Sequence, residues 1–200
     1  GSEMCIRDSR HSMFIDKDEL FCSDLELAYN DYNTALNINP DLKEIYEKRA
    51  DIRSWSMEGV SYPASETEKQ EHIFKEKLKM NLSDYKKAME LNGKTPELLM
   101  KLASTYNNLE HPEKAVPLFE EAALSGNIYA YYGLVISYAK LNEPEKVIEY
   151  VDKFLGQAGS CNGENSCYRY LHYTRGKANL KLHKFKEAYK DWKNSGYIIF

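Results

Sequence analysis

The chain has 200 residues, 42% of them hydrophobic and 29% charged, with a formal net charge of −4. That length allows one full domain or a short array of repeats. The mildly acidic balance gives no overall pull toward nucleic acid or anionic lipid, and no apolar run approaches the roughly 18 residues of a membrane-spanning helix.

Residues 1–12 show no periodicity. Gly1-Ser2 reads as an expression scar and Glu3 to Ser9 as translated adapter text, so this stretch is set aside as a non-native or disordered leader. The native N-terminus, with any export signal, is then not assured. Cytoplasmic residence is the favoured expectation, and export stays open.

The first helix is expected over about 17–39, where Leu20, Leu25, Ala28, Tyr32, Ala35 and Leu36 recur at three- and four-residue steps. Asn39-Pro40 closes it, because the residue before proline is pushed out of the α region. Asp41 is a suitable N-cap for the next helix, which carries Ile45, Tyr46, Arg49, Ala50, Ile52 and Trp55. Met57 to Pro63 break the pattern. Ser65-Glu66-Thr67-Glu68 reads as a capping box opening a helix that runs to Asn92, with Gly93 as a left-handed C-cap. Its apolar stripe, Phe74, Leu78, Leu82, Tyr85 and Met89, starts late, so Ala64 to His72 is expected to project into solvent.

Thr95 caps the next helix, with Pro96 at its first position. Helices over about 96–109, 112–125, 128–141 and 144–156 follow. Pro117 lies inside its helix and removes the bond to the Glu113 carbonyl, at a cost of up to about 3 kcal/mol; a bend rather than a break is expected. After a 156–166 loop, Tyr173, Arg175-Gly176, Ala188 and Trp192 restore the helical pattern. Tyr197 to Phe200 form an apolar end that either docks on the last helix or opens a truncated further repeat.

One pattern runs twice at a spacing of 32 residues: Leu102, Ala103, Tyr106, Leu109, Pro112-Glu113-Lys114, Ala115 and Phe119, then Leu134, Val135, Tyr138, Leu141, Pro144-Glu145-Lys146, Val147 and Val151. A fixed period in this range marks a helical repeat array. With Ala28, Tyr32, Ala35 and Pro40, and with Tyr46 and Arg49-Ala50, the chain resembles the tetratricopeptide repeats; Glu121 to Asn127 with Ala130 and Gly133 adds a likeness to the related Sel-like repeats. The resemblance implies an all-α, right-handed superhelical solenoid of antiparallel helix pairs, with four to five repeats over 13–200. They fall at about 13–40, 41–94 (with the inserted extension), 95–127, 128–160 and 165–196. Small residues sit where the helices of a pair cross: Ala50, Ala103 and Gly176 on first helices, and Ala28, Ala115 and Ala188 on second helices. Val135, Val147 and Phe154 are bulky at such places, so a wider crossing is expected in the 128–155 repeat.

No catalytic constellation appears. His11, His72, His111, His172 and His183 pair with no local carboxylate or cysteine at ligand spacing, and no glycine-rich phosphate loop or His-Glu-x-x-His is present. The expectation is a non-enzymatic protein without cofactor or metal. Cys161 and Cys167 bracket a polar loop; in an oxidising compartment they close a small disulfide ring, and otherwise they are two reduced thiols. The resemblance further implies a concave groove lined by first helices, which places Met100, Ser104, Asn107 and Asn108, then Tyr129, Tyr132, Ile136 and Lys140, then Tyr170, Tyr173 and Lys177 on a surface for a peptide or partner segment. The alternative is that several of these tyrosines are inter-repeat packing. The basic C-terminal run of Arg169, Arg175, Lys177, Lys181, Lys184, Lys186, Lys190 and Lys193 suits an acidic partner or RNA, but such lysines are more often a solvated face, and Glu187 and Asp191 dilute them, so nucleic-acid binding is not favoured. A structural or self-assembly role through the 65–92 helix or the apolar end, or a regulatory domain of a larger protein, stands beside the scaffold reading.

Overall fold

The computed structural model describes residues 15–55, 67–157 and 166–196. The leader, the Met57–Pro63 break, the start of the Ser65 capping box, Cys161 and the apolar end at 197–200 lie outside the described residues. So does the Cys161–Cys167 pairing. Helices run over Ile15–Ile38 (α1), Lys43–Trp55 (α2), Thr67–Asn92 (α3), Pro96–Asn108 (α4), Pro112–Leu124 (α5), Tyr129–Lys140 (α6), Pro144–Gln157 (α7), Ser166–Lys181 (α8) and Phe185–Ser195 (α9). Among the described residues there is no strand. The chain divides into two compact units, Gly1–Gly93 and Lys94–Phe200.

In the first unit α2 packs against α1 and α3. Ala50 is fully buried, which lets the backbones approach, and Leu36, Ile52, Leu78, Tyr85 and Ala88 fill the space around it. The apolar stripe expected on α3 needs two corrections. Phe74 is 39% exposed, and the buried face carries Asn81 and Asp84 among its apolar residues. The reason is a polar clamp. Arg49 donates to both Asp84 oxygens, at 3.0 and 2.5 Å, and Arg53 donates to Asp84 Oδ2 at 3.0 Å and to Asn81 Oδ1 at 2.6 Å. Tyr85 donates its hydroxyl hydrogen to Asp51 at 2.9 Å. The stretch of α3 before Leu78 is mostly exposed and carries local ion pairs, Glu71–Lys75 and Glu76–Lys79. Such pairs, together with its own propensity, support a helix stretch that is mostly exposed.

In the second unit the helices pack in chain order from α4 to α9, and α6 also touches α4 and α8. Thr95 Oγ1 accepts from the Leu98 amide at 3.2 Å, as an N-cap should. α5 runs unbroken through Pro117, which lies on its exposed side. The turns leaving α4, α6 and α8 share one design. Glu110, Asn142 and His183 take left-handed φ values of 60°, 61° and 57°. The amides of His111, Glu143 and Lys184 then reach back to the carbonyls of Tyr106, Tyr138 and Asn179 at 2.9 to 3.0 Å. This is a Schellman closure, which satisfies helix-end carbonyls that would otherwise be orphaned.

The 128–155 repeat holds its bulky residues inside. Val135, Val147 and Phe154 are all buried. Its small residues are instead on the other side of α6, where Ala130, Gly133 and Ser137 form a buried stripe toward the preceding pair. A Cβ on Gly133 would come within 2.4 Å of the Phe119 ring, and Phe119 is itself 1% exposed and cannot move aside. Ser137 and Asn107 exchange hydrogen bonds at 2.9 and 3.1 Å across the same seam.

Gly133→Ala should therefore destabilise the chain by about 1–3 kcal/mol through overpacking. Gly156→Ala, with open space around its Cβ, should be neutral or stabilise by up to about 1 kcal/mol. Urea denaturation of both variants checks the contrast, and equal stabilities would contradict the tight Phe119–Gly133 contact.

Candidate groove on the first helices of the second unit

α4, α6 and α8 stand side by side, with α6 in the middle. Each is a first helix of a pair, and its second helix covers the opposite side. The residues left on the uncovered face follow one helical spacing of three and four. On α6 they are Tyr129, Tyr132, Ile136 and Lys140; on α8, Tyr170, Tyr173, Lys177, Leu180 and Lys181; on α4, Glu97, Met100, Ser104 and Asn108. All are exposed or half-buried.

Of the residues expected to line this face, Asn107 is turned inward. It is 4% exposed, with its amide held by Ser137, because the neighbouring α6 presents a small hydroxyl there. Lys140 stays on the face but is committed: its ammonium donates to the Asn107 carbonyl at 2.7 Å and pairs with Glu110 at 2.7 Å. It thereby ties the α6 stripe to the end of α4. Leu180, 42% exposed, was not singled out from the sequence, and Lys181 was read only as part of the basic run, although both continue the spacing of Tyr170, Tyr173 and Lys177. Glu97 was missed in the same way.

The centre of the face is aromatic. The Tyr132 ring lies 5.6 Å from that of Tyr170 and 6.5 Å from that of Phe154, tilted against both. Tyr129 tilts on Phe154 at 6.3 Å while remaining 64% exposed. Partial burial pushes the Tyr132 phenol above its ordinary pKa, with smaller contributions from the facing Cys167 and Tyr170 groups. Lys177 sits 5.5 Å from the Tyr173 ring centroid, an exposed cation–π contact of about 0.5–1 kcal/mol.

A second group of tyrosines does different work. Tyr131, Tyr150 and Tyr138 stack between α6 and α7, with centroid separations of 6.1 and 5.4 Å. Tyr138 and Tyr150 both donate to Glu120 Oε1, at 3.3 and 3.2 Å. Burial, then the Glu120 charge, raises both phenols. These rings are packing, and those on the uncovered face are surface.

α8 is fixed in rotation by α9. Asp191, 3% exposed, accepts from Arg175, from Asn179 at 3.0 Å and from the His172 Nδ1 side at 2.9 Å, and Arg175 also grips Asp152. Two histidines thus do meet carboxylates, since His111 Nδ1 also lies 3.2 Å from Glu113. Gly176 lets the Trp192 indole against the α8 backbone, where a Cβ would fall 2.5 Å from its nitrogen. Among the described residues no group of three or more His, Cys, Asp or Glu could hold a metal ion, and no helix is long and apolar enough to cross a membrane.

The tetratricopeptide repeat family model matches residues 96–124, the α4–α5 pair. A crystal structure of MamA superposes with a TM-score of 0.68 over 92% of this chain and 93% of that one, at 19% identity. A second MamA crystal structure gives 0.68 over 88% and 84%, at 18% identity. YrrB, described as a TPR protein with an unusual peptide-binding site, gives 0.65 over 88% and 78%, at 15% identity. At these identities the likeness is one of fold. No curated protein matches the sequence.

The Asp191 clamp has a pH signature. Burial works to raise the Asp191 carboxyl, but the hydrogen bonds from Arg175 and His172 outweigh it and hold the group below the usual carboxylate value. A carboxyl lowered in the folded state stabilises the fold above its unfolded pKa of about 3.9, and that stabilisation is lost as pH falls through the folded value. Asp191→Asn should remove this part of the acid dependence. At pH 7 it should also cost about 1–3 kcal/mol, because half-buried Arg175, buried His172 and buried Asn179 lose their shared carboxylate while Asp152 still holds the guanidinium. Urea melts from neutral pH down to about pH 3 would show both effects, and an unchanged acid limb would contradict the clamp.

Proposed function

We propose that this tetratricopeptide-repeat protein is a non-enzymatic scaffold that holds a peptide or partner segment against the uncovered face of α4, α6 and α8. The observation that carries the reading is the pair of aligned stripes on α6 and α8. Tyr129, Tyr132, Tyr170 and Tyr173 converge on one face, where each offers rigid contact area and a hydroxyl. Asn108 and Ser104 add donors and acceptors suited to an extended backbone. Tyr132 and Tyr170 also pack on each other between neighbouring first helices, while Tyr129 keeps most of its surface exposed. The peptide-binding site named for YrrB gives the same reading a precedent within the fold.

Self-association is the competing reading. It is favoured by Phe74 and Met80 on α3, which are 39% and 47% exposed, and it predicts a concentration-dependent mass that a Phe74→Ser/Met80→Ser variant would abolish.

The groove is tested by Tyr129→Ala combined with Tyr173→Ala. Tyr132 is left in place, because its ring packs on Phe154 and Tyr170 and its loss would disturb the fold. With the partner captured from the native source and identified by mass spectrometry, the double variant should lose about 2 kcal/mol of binding, roughly thirty-fold in Kd, as for an aromatic hot spot. Helicity and melting should stay close to those of the parent. Undiminished capture would remove the groove assignment.

A further inference from the structure

The chain is acidic overall, with a net charge of −4, yet α6 and α8 contain no aspartate or glutamate. Their bases are Lys140, Arg169, Arg175, Lys177 and Lys181, and the structure divides them by role. Arg175 is bound to Asp191 and Asp152. Arg169 donates from Nε to the Ser195 carbonyl at 2.9 Å, securing the end of α9. Lys140 is neutralised by Glu110.

Lys177 and Lys181 are different. Both are exposed and one turn apart on the uncovered face of α8. Lys177 lies over the Tyr173 ring, and Lys181 donates to the neutral Asn142 side chain. Neither forms an ion pair with a described carboxylate. Exposed Leu180 lies between them, and the aromatic group of Tyr132, Tyr170 and Phe154 adjoins the N-terminal half of the same stripe. The described carboxylates nearest this face are Glu97 on α4, two first helices away, and Glu110 just beyond α4, which is paired with Lys140.

We propose that the segment recognised on this face is an acidic peptide with a large apolar side chain, its carboxylates on Lys177 and Lys181 and its apolar group against Tyr129, Tyr132 and Tyr170. This rests on the groove assignment above and names the chemistry of what the groove takes. Uncompensated lysines beside an apolar wall attract an acidic segment and repel a basic one, so charge sets which segment is chosen and aromatic contact area sets how tightly it is held. RNA fits this surface less well. Two lysines neutralise only about two phosphates, and Tyr132 and Tyr170 tilt on each other at 59° instead of presenting open faces for bases.

The test is selection from a random heptapeptide phage library on the full chain, followed by fluorescence anisotropy with a synthetic peptide of the recovered consensus. Recovered sequences should be rich in Asp and Glu around an aromatic or aliphatic residue. Lys177→Glu with Lys181→Glu should weaken the peptide by about tenfold or more. The same variant should bind better than the parent a peptide whose acids are replaced by lysine, a gain that misfolding could not produce. Neutral or basic consensus sequences that still depend on Tyr129 and Tyr173 would overturn the acidic preference and leave the groove standing. Recovery no greater than that on the Tyr129→Ala/Tyr173→Ala variant would overturn both. A labelled oligouridine that bound as tightly as the selected peptide, and competed with it, would overturn the proposal in favour of RNA.

Discussion

A buried carboxylate on a second helix, gripped by arginines from the first, is the interaction on which much of this structure depends. Asp84 takes Arg49 and Arg53 in the first unit, and Asp191 takes Arg175, His172 and Asn179 in the second. Apolar packing between two helices tolerates small rotations and slides, because hydrophobic burial has no direction. A buried ion pair does not. Parting Arg175 from Asp191 would strip the buried carboxylate of its only cation among the described residues apart from His172, and breaking such a pair is costly, so α8 favours one rotational setting. That setting is what turns Tyr170, Tyr173, Lys177 and Leu180 to the uncovered face.

The central pairs of the second unit reach the same end by another route. There the small stripe Ala130, Gly133 and Ser137 draws α6 against Phe119 and Asn107, and Lys140 ties α6 to the end of α4. Two kinds of constraint, one steric and one electrostatic, thus act on neighbouring helices of one surface. Tyr129 takes part in neither and keeps most of its surface exposed.

Much of the second unit could be read in the sequence because its rules are local. The 32-residue period, the Thr95 cap and the prolines at 96, 112 and 144 each act within a few residues, and the helices begin where they say. Pro117 sits on the exposed side of a helix that does not break. The clamps were not seen because their partners are separated by 35 residues for Arg49–Asp84 and 16 for Arg175–Asp191. A usable signal was present: Arg49-Ala50 and Arg175-Gly176 recur on first helices, as Asp84-Tyr85 and Asp191-Trp192 do on second helices. Asn107 was placed on the wrong side because its direction is decided by Ser137 on another helix, 30 residues away. Tyr138 and Tyr150 could not be told from Tyr129 and Tyr173 by spacing alone, since the partner that makes them core is Glu120 on α5.

The central claim, that the uncovered face of α4, α6 and α8 is where this protein meets its ligand, is tested most directly by backbone and tyrosine-ring NMR of the labelled chain during titration with a selected peptide. Shift changes should be confined to residues such as Met100, Ser104, Tyr132, Ile136, Tyr173 and Lys177, with the Tyr138–Tyr150 stack and the outer faces of α5 and α9 unmoved. Changes centred on α5, α7 or α9, with the tyrosines of α6 and α8 silent, would contradict it.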